Sequence, residues 1–368
     1  MIGCGGISND YAAALKKSEV VEIVSCADMV SERAVETAQK YGIPKSCPVE
    51  ELLADPEIEI VLNLTTPDAH YEINTAALNA GKHIYTEKPV AITLEEVEEI
   101  FALAKEKGLR IGCAPETILG RQIRTAKKAI EDGMAGKITA GSVSLATPMF
   151  RFELWYPEPG HLFQPGGGPL WDTGVYYFTA LVYLLGNVKR VTAFSHRSSD
   201  KRTVVSQPNC GKTIDVTIDT HYSGALEFES GAIISLTATS DAWHAHMPKF
   251  ELYGENGTLV IQDPISYEGD VKFINREDII NSLGDLVFFE RVMKLESSEM
   301  NELYRTIEPA GSKPTVYGIG IETMAEALRE GSDYPVNEKL GYHVLEIMSS
   351  IDKAAHEGMV VELKSKAF

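Results

Sequence analysis

The feature that most restricts the fold of this 368-residue chain is the alternation of short apolar runs with helical patterns in its first third. Apolar runs at 20–26, 58–64, 83–85 and 110–114 read as buried strands. Helical patterns stand between them at 31–41, 69–80 and 93–107, the last two stopped by Gly81 and Gly108. Such alternation needs crossover connections and predicts a doubly wound parallel α/β sheet. In an open parallel sheet ligands bind beyond the carboxyl ends of the strands, so the residues that follow each apolar run are the first functional candidates.

The chain opens on a glycine turn, Gly3-Cys4-Gly5-Gly6-Ile7-Ser8, continued by a helical pattern over 9–17. The turn allows close backbone approach, and the helix start behind it offers N–H groups to an anion such as a pyrophosphate. Ser8 stands where a third glycine is usual, and no GK[ST] follows to suggest a P-loop. Asp28 follows the 20–26 run, roughly the 20 residues beyond the turn at which a carboxylate accepts hydrogen bonds from a ribose 2′-hydroxyl. That carboxylate would repel a 2′-phosphate, which favours NAD over NADP; the alternative is that Asp28 only caps a turn. In Thr65-Thr66-Pro67-Asp68-Ala69-His70, Pro67 fixes the turn and the threonine hydroxyls suit a ribose or a carboxamide. His70 joins the same cofactor-binding set. Tyr85-Thr86-Glu87-Lys88-Pro89 puts a lysine at a strand's carboxyl end, either reaching a substrate or solvated in a turn. Only Met1 and Ile2 precede Gly3, whereas a dinucleotide fold has a central strand there. The expectation is a numbering that begins several residues late.

Beyond about residue 120 the pattern changes. A helix at 121–132 and a strand at 137–146 lead to an irregular aromatic and proline-rich segment at 148–169, then a helix at 170–185. Alternating runs at 189–195, 221–229, 232–239, 250–253 and 258–262 read as strands, with hairpin turns at Glu229-Ser230-Gly231 and Glu255-Asn256-Gly257. This predicts a C-terminal α+β domain with a large, mostly antiparallel open sheet. Residues 276–316 carry mixed signals, and helices are expected at 319–329 and 341–357. The expected domains are 1–118 and 119–368, with the last helix packing back on the first.

Charge and cysteines exclude several function classes. Fifty-three acidic against 34 basic residues give a net charge of -19, which repels nucleic acid and anionic membrane surfaces. The five cysteines are scattered, with no CxxC pair and no clustered histidine, so reduced thiols in a cytoplasmic protein are expected and a metal site is not. The longest apolar stretch, at 181–185, is far too short to span a bilayer, and no signal peptide is read at the start.

Several motifs occur in order: Gly3-Cys4-Gly5-Gly6-Ile7, Thr65-Thr66-Pro67, Glu87-Lys88-Pro89, Gly167-Gly168 with Asp172-Thr173-Gly174, and Tyr253-Gly254-Glu255-Asn256-Gly257-Thr258-Leu259. Together they resemble the Gfo/Idh/MocA family of NAD(P)-dependent oxidoreductases, that of glucose-fructose oxidoreductase and inositol dehydrogenase. The resemblance implies a catalytic Lys88, with Asp172 and Tyr176 four residues apart on one helical face. Tyr176 stands where the family most often has histidine; the alternative is that Tyr176, Tyr177, Phe178 and Leu181 are all core.

Moving a hydride from a carbinol carbon to NAD requires that the hydroxyl proton leave. Tyrosine and lysine titrate near 10 and must be tuned downward for that work. The expected roles are Tyr176 as proton carrier, Lys88 as its activator and hydroxyl ligand, and Asp172 as orienter of substrate hydroxyls. Glu116, past the last strand of the alternating series, is expected to face the nicotinamide. Trp155, His161, Trp171 and His244, with His246 beside it, are substrate-binding candidates or else structural residues. The implied function is NAD-dependent oxidation, or the reverse reduction, of a sugar, polyol or related cyclic hydroxyl compound. Three alternatives stay open: an NAD-assisted redox-neutral glycosidase, a non-catalytic sugar or dinucleotide sensor, and a plain structural subunit that does not bind NAD. A homo-oligomer, dimer or tetramer, is expected through the C-terminal sheet.

Overall fold

The computed structural model describes residues 1–146, 148, 151, 153, 154, 156, 158–246, 249–311 and 317–368. It divides into two compact units, one of Met1–Leu119, Thr315–Glu346 and Ser365–Phe368, the other of Gly120–Pro314 and Ile347–Lys364.

In the first unit strands and helices alternate: α1 (Ser8–Leu15), β1 (Ser25–Cys26), α2 (Ser31–Tyr41), β2 (Lys45–Ser46), α3 (Val49–Ala54), β3 (Ile60–Asn63), α4 (Pro67–Asn79), β4 (His83–Thr86), α5 (Leu94–Lys107) and β5 (Ile111–Cys113). The pairs β1–β2, β3–β4 and β4–β5 are all parallel. Ile2 bridges in parallel to both Ala27 and Asn63, which joins the pieces into one parallel sheet. Ile84 and Tyr85 in the middle of this sheet have no exposed surface. Local chemistry sets the helix ends. Thr93 accepts from the Glu96 N–H while the Glu96 carboxylate accepts from the Thr93 N–H, a reciprocal capping box. Gly42 and Gly108 end α2 and α5 in the left-handed conformation, at φ 76° and 66°.

The expected strand at 20–26 is a correction: only Ser25 and Cys26 are strand, paired with Lys45 and Ser46. The Val20 and Val21 N–H groups donate to the Ser18 hydroxyl, both at 3.1 Å, so this backbone is committed to a turn.

The second unit holds α6 (Arg121–Glu131), α7 (Gly174–Leu185) and a nine-stranded sheet. Its strands are β6 (Ile138–Ala146), β7 (Val188–His196), β10 (His221–Phe228), β11 (Ile233–Thr239), β12 (Phe250–Gly254), β13 (Gly257–Ile261), β14 (Val271–Asn275), β15 (Arg305–Thr306) and β16 (Val361–Glu362). A separate antiparallel pair is formed by β8 (Lys201–Thr203) and β9 (Thr213–Asp215). The sheet order is β15-β14-β13-β12-β6-β11-β10-β7-β16, antiparallel throughout except for β6 with β11. The two hairpin turns fall where the glycines predict them, joining β10 to β11 and β12 to β13. One sheet face is buried through Leu226, Ile234, Leu236, Phe250 and Leu252. The opposite face follows from the register: Phe194 pairs with Ser223, which pairs with Thr237, and Ile233 and Tyr253 both pair with Ala140. Phe194, Ile233 and Tyr253 are exposed there.

The segment left unassigned from sequence contains α8 (Arg276–Leu283) and α9 (Phe288–Leu295). The expected helix at 170–185 is corrected in its first turn. Pro169–Thr173 winds as a π turn and the α-helix starts at Gly174, so Asp172 and Tyr176 do not share one regular α-helix. Among the described residues no helix is long and apolar enough to cross a membrane.

Candidate active site

The first unit gathers its candidates at the carboxyl edge of the parallel sheet. Gly3 has φ 96°, and a Cβ there would stand 2.6 Å from the Leu64 carbonyl carbon. Only glycine lets the first turn approach the turn after β3 this closely. At Gly5 and Gly6 an added Cβ would meet nothing within 4 Å, and both residues are exposed. Ser8, in place of the third glycine, is buried and donates its hydroxyl to Gly5 O at 2.6 Å, closing the loop from within. Ile7 precedes α1 with no side-chain cap, and the Asn9 and Asp10 N–H groups donate to Gly6 O and Ile7 O at 3.2 and 3.1 Å. An open backbone loop at a helix start fits a pyrophosphate.

Asp28, half-buried, accepts from the Cys4 N–H at 2.7 Å and the Val30 N–H at 2.8 Å. Its carboxylate therefore caps a turn and also stands against the glycine loop. Thr65 donates its hydroxyl to Asn63 Oδ1 at 2.7 Å; Thr66 is exposed and precedes α4, with Pro67 in the first helical turn. Lys88 is half-buried, its peptide bond to Pro89 is cis, and its N–H donates to Glu87 Oε2 at 3.1 Å. Glu87 Oε1 accepts from the Tyr11 hydroxyl at 2.9 Å.

Two sequence assignments change on burial. His70 has no exposed surface, and its ring nitrogens face two backbone carbonyls, Nδ1 at 2.5 Å from Pro89 O and Nε2 at 3.1 Å from Thr65 O. Burial lowers its pKa, against the opposing pull of those carbonyls. A neutral ring donates to only one of these carbonyls, but with both nitrogens against backbone oxygens it presents neither to a cofactor. Glu116 is buried as well, and its carboxylate accepts from the Gly318 and Gly320 N–H groups at 2.5 and 2.8 Å and from the Tyr85 hydroxyl at 2.8 Å. It holds the start of the helix Ile319–Glu330, where a carboxylate is favoured by the helix dipole, and does not face a nicotinamide.

In the second unit, Gly167 is needed by packing and Gly168 by its left-handed backbone. A Cβ at Gly167 would lie 2.6 Å from Leu162 O, and one at Gly168, φ 78°, would lie 2.5 Å from Ile218 Cδ1. The π turn they introduce carries Trp171 and Asp172, both half-buried. In the aromatic run that follows, Tyr177 and Phe178 are buried core, while Tyr176 is only half-buried. Tyr177 stacks on Phe250 at 5.3 Å and donates to Asp263 at 3.1 Å. Burial and the neighbouring Asp263 carboxylate push the Tyr177 phenol well above its usual range. His161 is exposed, edge-on to Tyr156 at 5.1 Å; His244 and His246 are exposed and edge-on to each other at 4.8 Å. Trp155 lies outside the described residues. Among the described residues no group of three or more His, Cys, Asp or Glu is arranged to hold a metal ion.

Sequence reasoning missed Asn63 and Asn74, which are fully buried and bonded to each other at 2.9 Å behind the turns that carry Thr65 and Lys88. The available signal was a lone asparagine inside the apolar run Ile60-Val61-Leu62-Asn63-Leu64, and an asparagine one helical turn after His70.

Residues 1–114 match the family described as "Oxidoreductase family, NAD-binding Rossmann fold", and residues 123–260 match the "GFO/IDH/MocA C-terminal domain". A 1,5-anhydro-D-fructose reductase of Ensifer adhaerens is 29% identical over 268 residues, 71% of this chain and 74% of that protein. The scyllo-inositol 2-dehydrogenase (NADP(+)) IolW of Bacillus subtilis is 27% identical over 325 residues, 86% of this chain and 82% of that protein. Among solved structures, levoglucosan dehydrogenase in complex with NADH and L-sorbose superposes with a TM-score of 0.76 at 22% identity, covering 99% of this chain and 98% of the other.

Proposed function

This chain belongs to the GFO/IDH/MocA family of oxidoreductases, and we propose that it transfers a hydride between NAD and a carbinol carbon of a sugar, polyol or related cyclic hydroxyl compound. The observation that carries this reading is the carboxyl edge of the parallel sheet. There the open backbone of Gly5 and Gly6 follows the bridge at Ile2, the Asp28 carboxylate follows β1 and the Glu87-Lys88-Pro89 turn follows β4. When bound, a nicotinamide dinucleotide supplies the hydride acceptor or donor. Gly3, Gly5, Gly6 and Ile7 would hold its pyrophosphate, and Thr65, Thr66 and Pro67 the next part of it.

Asp28 supports NAD over NADP, because a half-buried carboxylate at a ribose disfavours a 2′-phosphate. One similar enzyme is named for NADP(+), so the choice rests on this chain's own residue. Titration of purified protein with NAD and NADP decides it: tighter NADP binding would reject Asp28 as the selector.

The chain's own proton chemistry falls to three side chains. Lys88 is assigned as ligand of the reacting hydroxyl oxygen, Tyr176 as the group that takes its proton, and Asp172 as the acceptor that orients neighbouring hydroxyls. Trp171, His161 and His244 remain candidates for sugar contact. The test is NADH formation across aldoses, inositols, anhydro sugars and amino sugars, with Lys88→Ala alongside. Turnover that survives in Lys88→Ala rejects the assignment, and aglycone release without net NADH would favour redox-neutral glycoside cleavage.

We also infer a cytoplasmic homo-oligomer built on the open sheet face, since Phe194, Ile233 and Tyr253 are exposed on one side of it. Sedimentation that finds a monomer at micromolar concentration would reject this.

A further inference from the structure

The catalytic assignment of Lys88 leaves open what fixes its position, and three buried polar side chains that the chemistry does not use stand directly behind it. His70, Asn63 and Asn74 all have no exposed surface. Buried polar groups of this kind persist when they are hydrogen-bonded, and their partners identify what they hold.

Two routes of contact run from the turn at Thr65 to the turn at Lys88. In the first, His70 stands between Thr65 O and Pro89 O. In the second, Thr65 donates both its N–H, at 3.1 Å, and its hydroxyl, at 2.7 Å, to Asn63 Oδ1. Asn63 Nδ2 then donates to Asn74 Oδ1 at 2.9 Å, and Asn74 Nδ2 donates to Val90 O at 3.0 Å. His70 and Asn74 are four apart on α4 and so share a face. The residue before Lys88 is held too, for the Glu87 N–H donates to Asn63 O at 2.9 Å. The carbonyls of Pro89 and Val90, just beyond Lys88, therefore meet the His70 and Asn74 side chains, while position 87, just before it, is held by the Asn63 main chain.

We propose that His70, Asn63 and Asn74 are positioning residues for Lys88, a buried clamp that sets where its ammonium stands relative to the Thr65 turn. The proposal rests on Lys88 being the catalytic lysine, and it adds residues that touch neither substrate nor cofactor. A misplacement of about 1 Å in a reacting group costs up to about a hundredfold in rate, which is the scale on which such a clamp acts.

The test uses full-length protein with His70→Phe, His70→Gln and Asn74→Leu, each checked for folding by circular dichroism and gel filtration. The first readout needs no turnover: acetylation of Lys88 by trace acetic anhydride, followed by peptide mass and scaled to the exposed Lys128. The ratio should change by about threefold or more in His70→Phe and Asn74→Leu and return toward wild type in His70→Gln, which keeps an N–H donor. The second is kinetic: kcat should fall about tenfold or more while KM for the dinucleotide stays within about twofold. An unchanged Lys88 ratio in a folded variant overturns the clamp. Should wild type turn over no substrate, the dehydrogenase reading fails by itself and the acetylation ratio still decides the clamp. Should His70→Phe not fold, the Gln and Leu variants carry the test.

Discussion

Tyr11 and Glu87 are joined by a hydrogen bond of 2.9 Å, hydroxyl to carboxylate, which ties the helix behind the glycine loop to the strand end that carries Lys88. The Tyr11 ring has no exposed surface and is tilted against Tyr317 at 5.5 Å. Tyr11→Phe keeps the ring and removes one bond to a charged acceptor, at a cost of about 1.5–3 kcal/mol. Urea unfolding should show a lower midpoint at unchanged slope. A midpoint equal to wild type would mean that Glu87 replaces the lost donor with water.

The glycines of the first turn separate by cause. Gly3→Ala forces a side chain into φ 96° and against the Leu64 carbonyl, so it should destabilise by about 2–4 kcal/mol. Gly6→Ala meets open space and should leave stability within about 0.5 kcal/mol. Its effect should instead fall on the dinucleotide, with Kd raised about tenfold, or 1.4 kcal/mol. Calorimetry of both variants with and without NAD distinguishes them, and a Gly6→Ala protein that binds NAD like wild type would remove Gly6 from the cofactor set.

Helices α4 and α5 were legible because their stops, Gly81 and Gly108, are local chemistry written within a few residues. The turn residues after β3 and β4 were legible for the same reason. The π turn at Pro169–Thr173 was not, since nothing in the residue types announces one extra residue in a turn. Glu116 was misread because its partners, Gly318 and Gly320, lie about 200 residues further along the chain, beyond any local pattern. His70 was assigned to the right region and the wrong partner: burial, which periodicity does not report for a single polar residue, turned its ring onto the backbone.

The pH dependence of stability follows from His70. Burial lowers its pKa in the folded state, whereas an unfolded histidine titrates near 6.5. Between the two values the unfolded chain binds more protons, so stability is present above about 6.5 and is lost as pH falls through the folded value. His83, lowered by burial and by Arg110, acts in the same direction. His356, raised chiefly by the Asp352 backbone carbonyl, acts in the opposite one, losing stability as pH rises. The contribution of His70 is therefore the difference between wild type and His70→Gln in urea midpoints measured from pH 8 to pH 5. The wild-type decline should be the steeper, and parallel curves would show that His70 does not titrate in this window.

The adjacent tyrosines 176 and 177 should respond in opposite ways to loss of the same atom. Tyr177 is buried, stacked on Phe250 and bonded to Asp263, which in turn accepts from the Ile265 N–H at 3.1 Å and lies 3.6 Å from Arg151. Tyr177→Phe removes one buried bond to a carboxylate and should cost about 1.5 kcal/mol of stability, with kcat little changed at temperatures where the protein is folded. Tyr176 is half-buried in the first turn of α7, three residues beyond the end of the π turn. Tyr176→Phe should lower kcat by about a hundredfold or more at temperatures where the protein is folded, the scale of a lost general base. Because the two changes delete the same hydroxyl from neighbouring positions, each is the control for the other. If Tyr176→Phe costs stability and spares kcat, the proton passes to another group, and Lys88 becomes the first candidate to receive it.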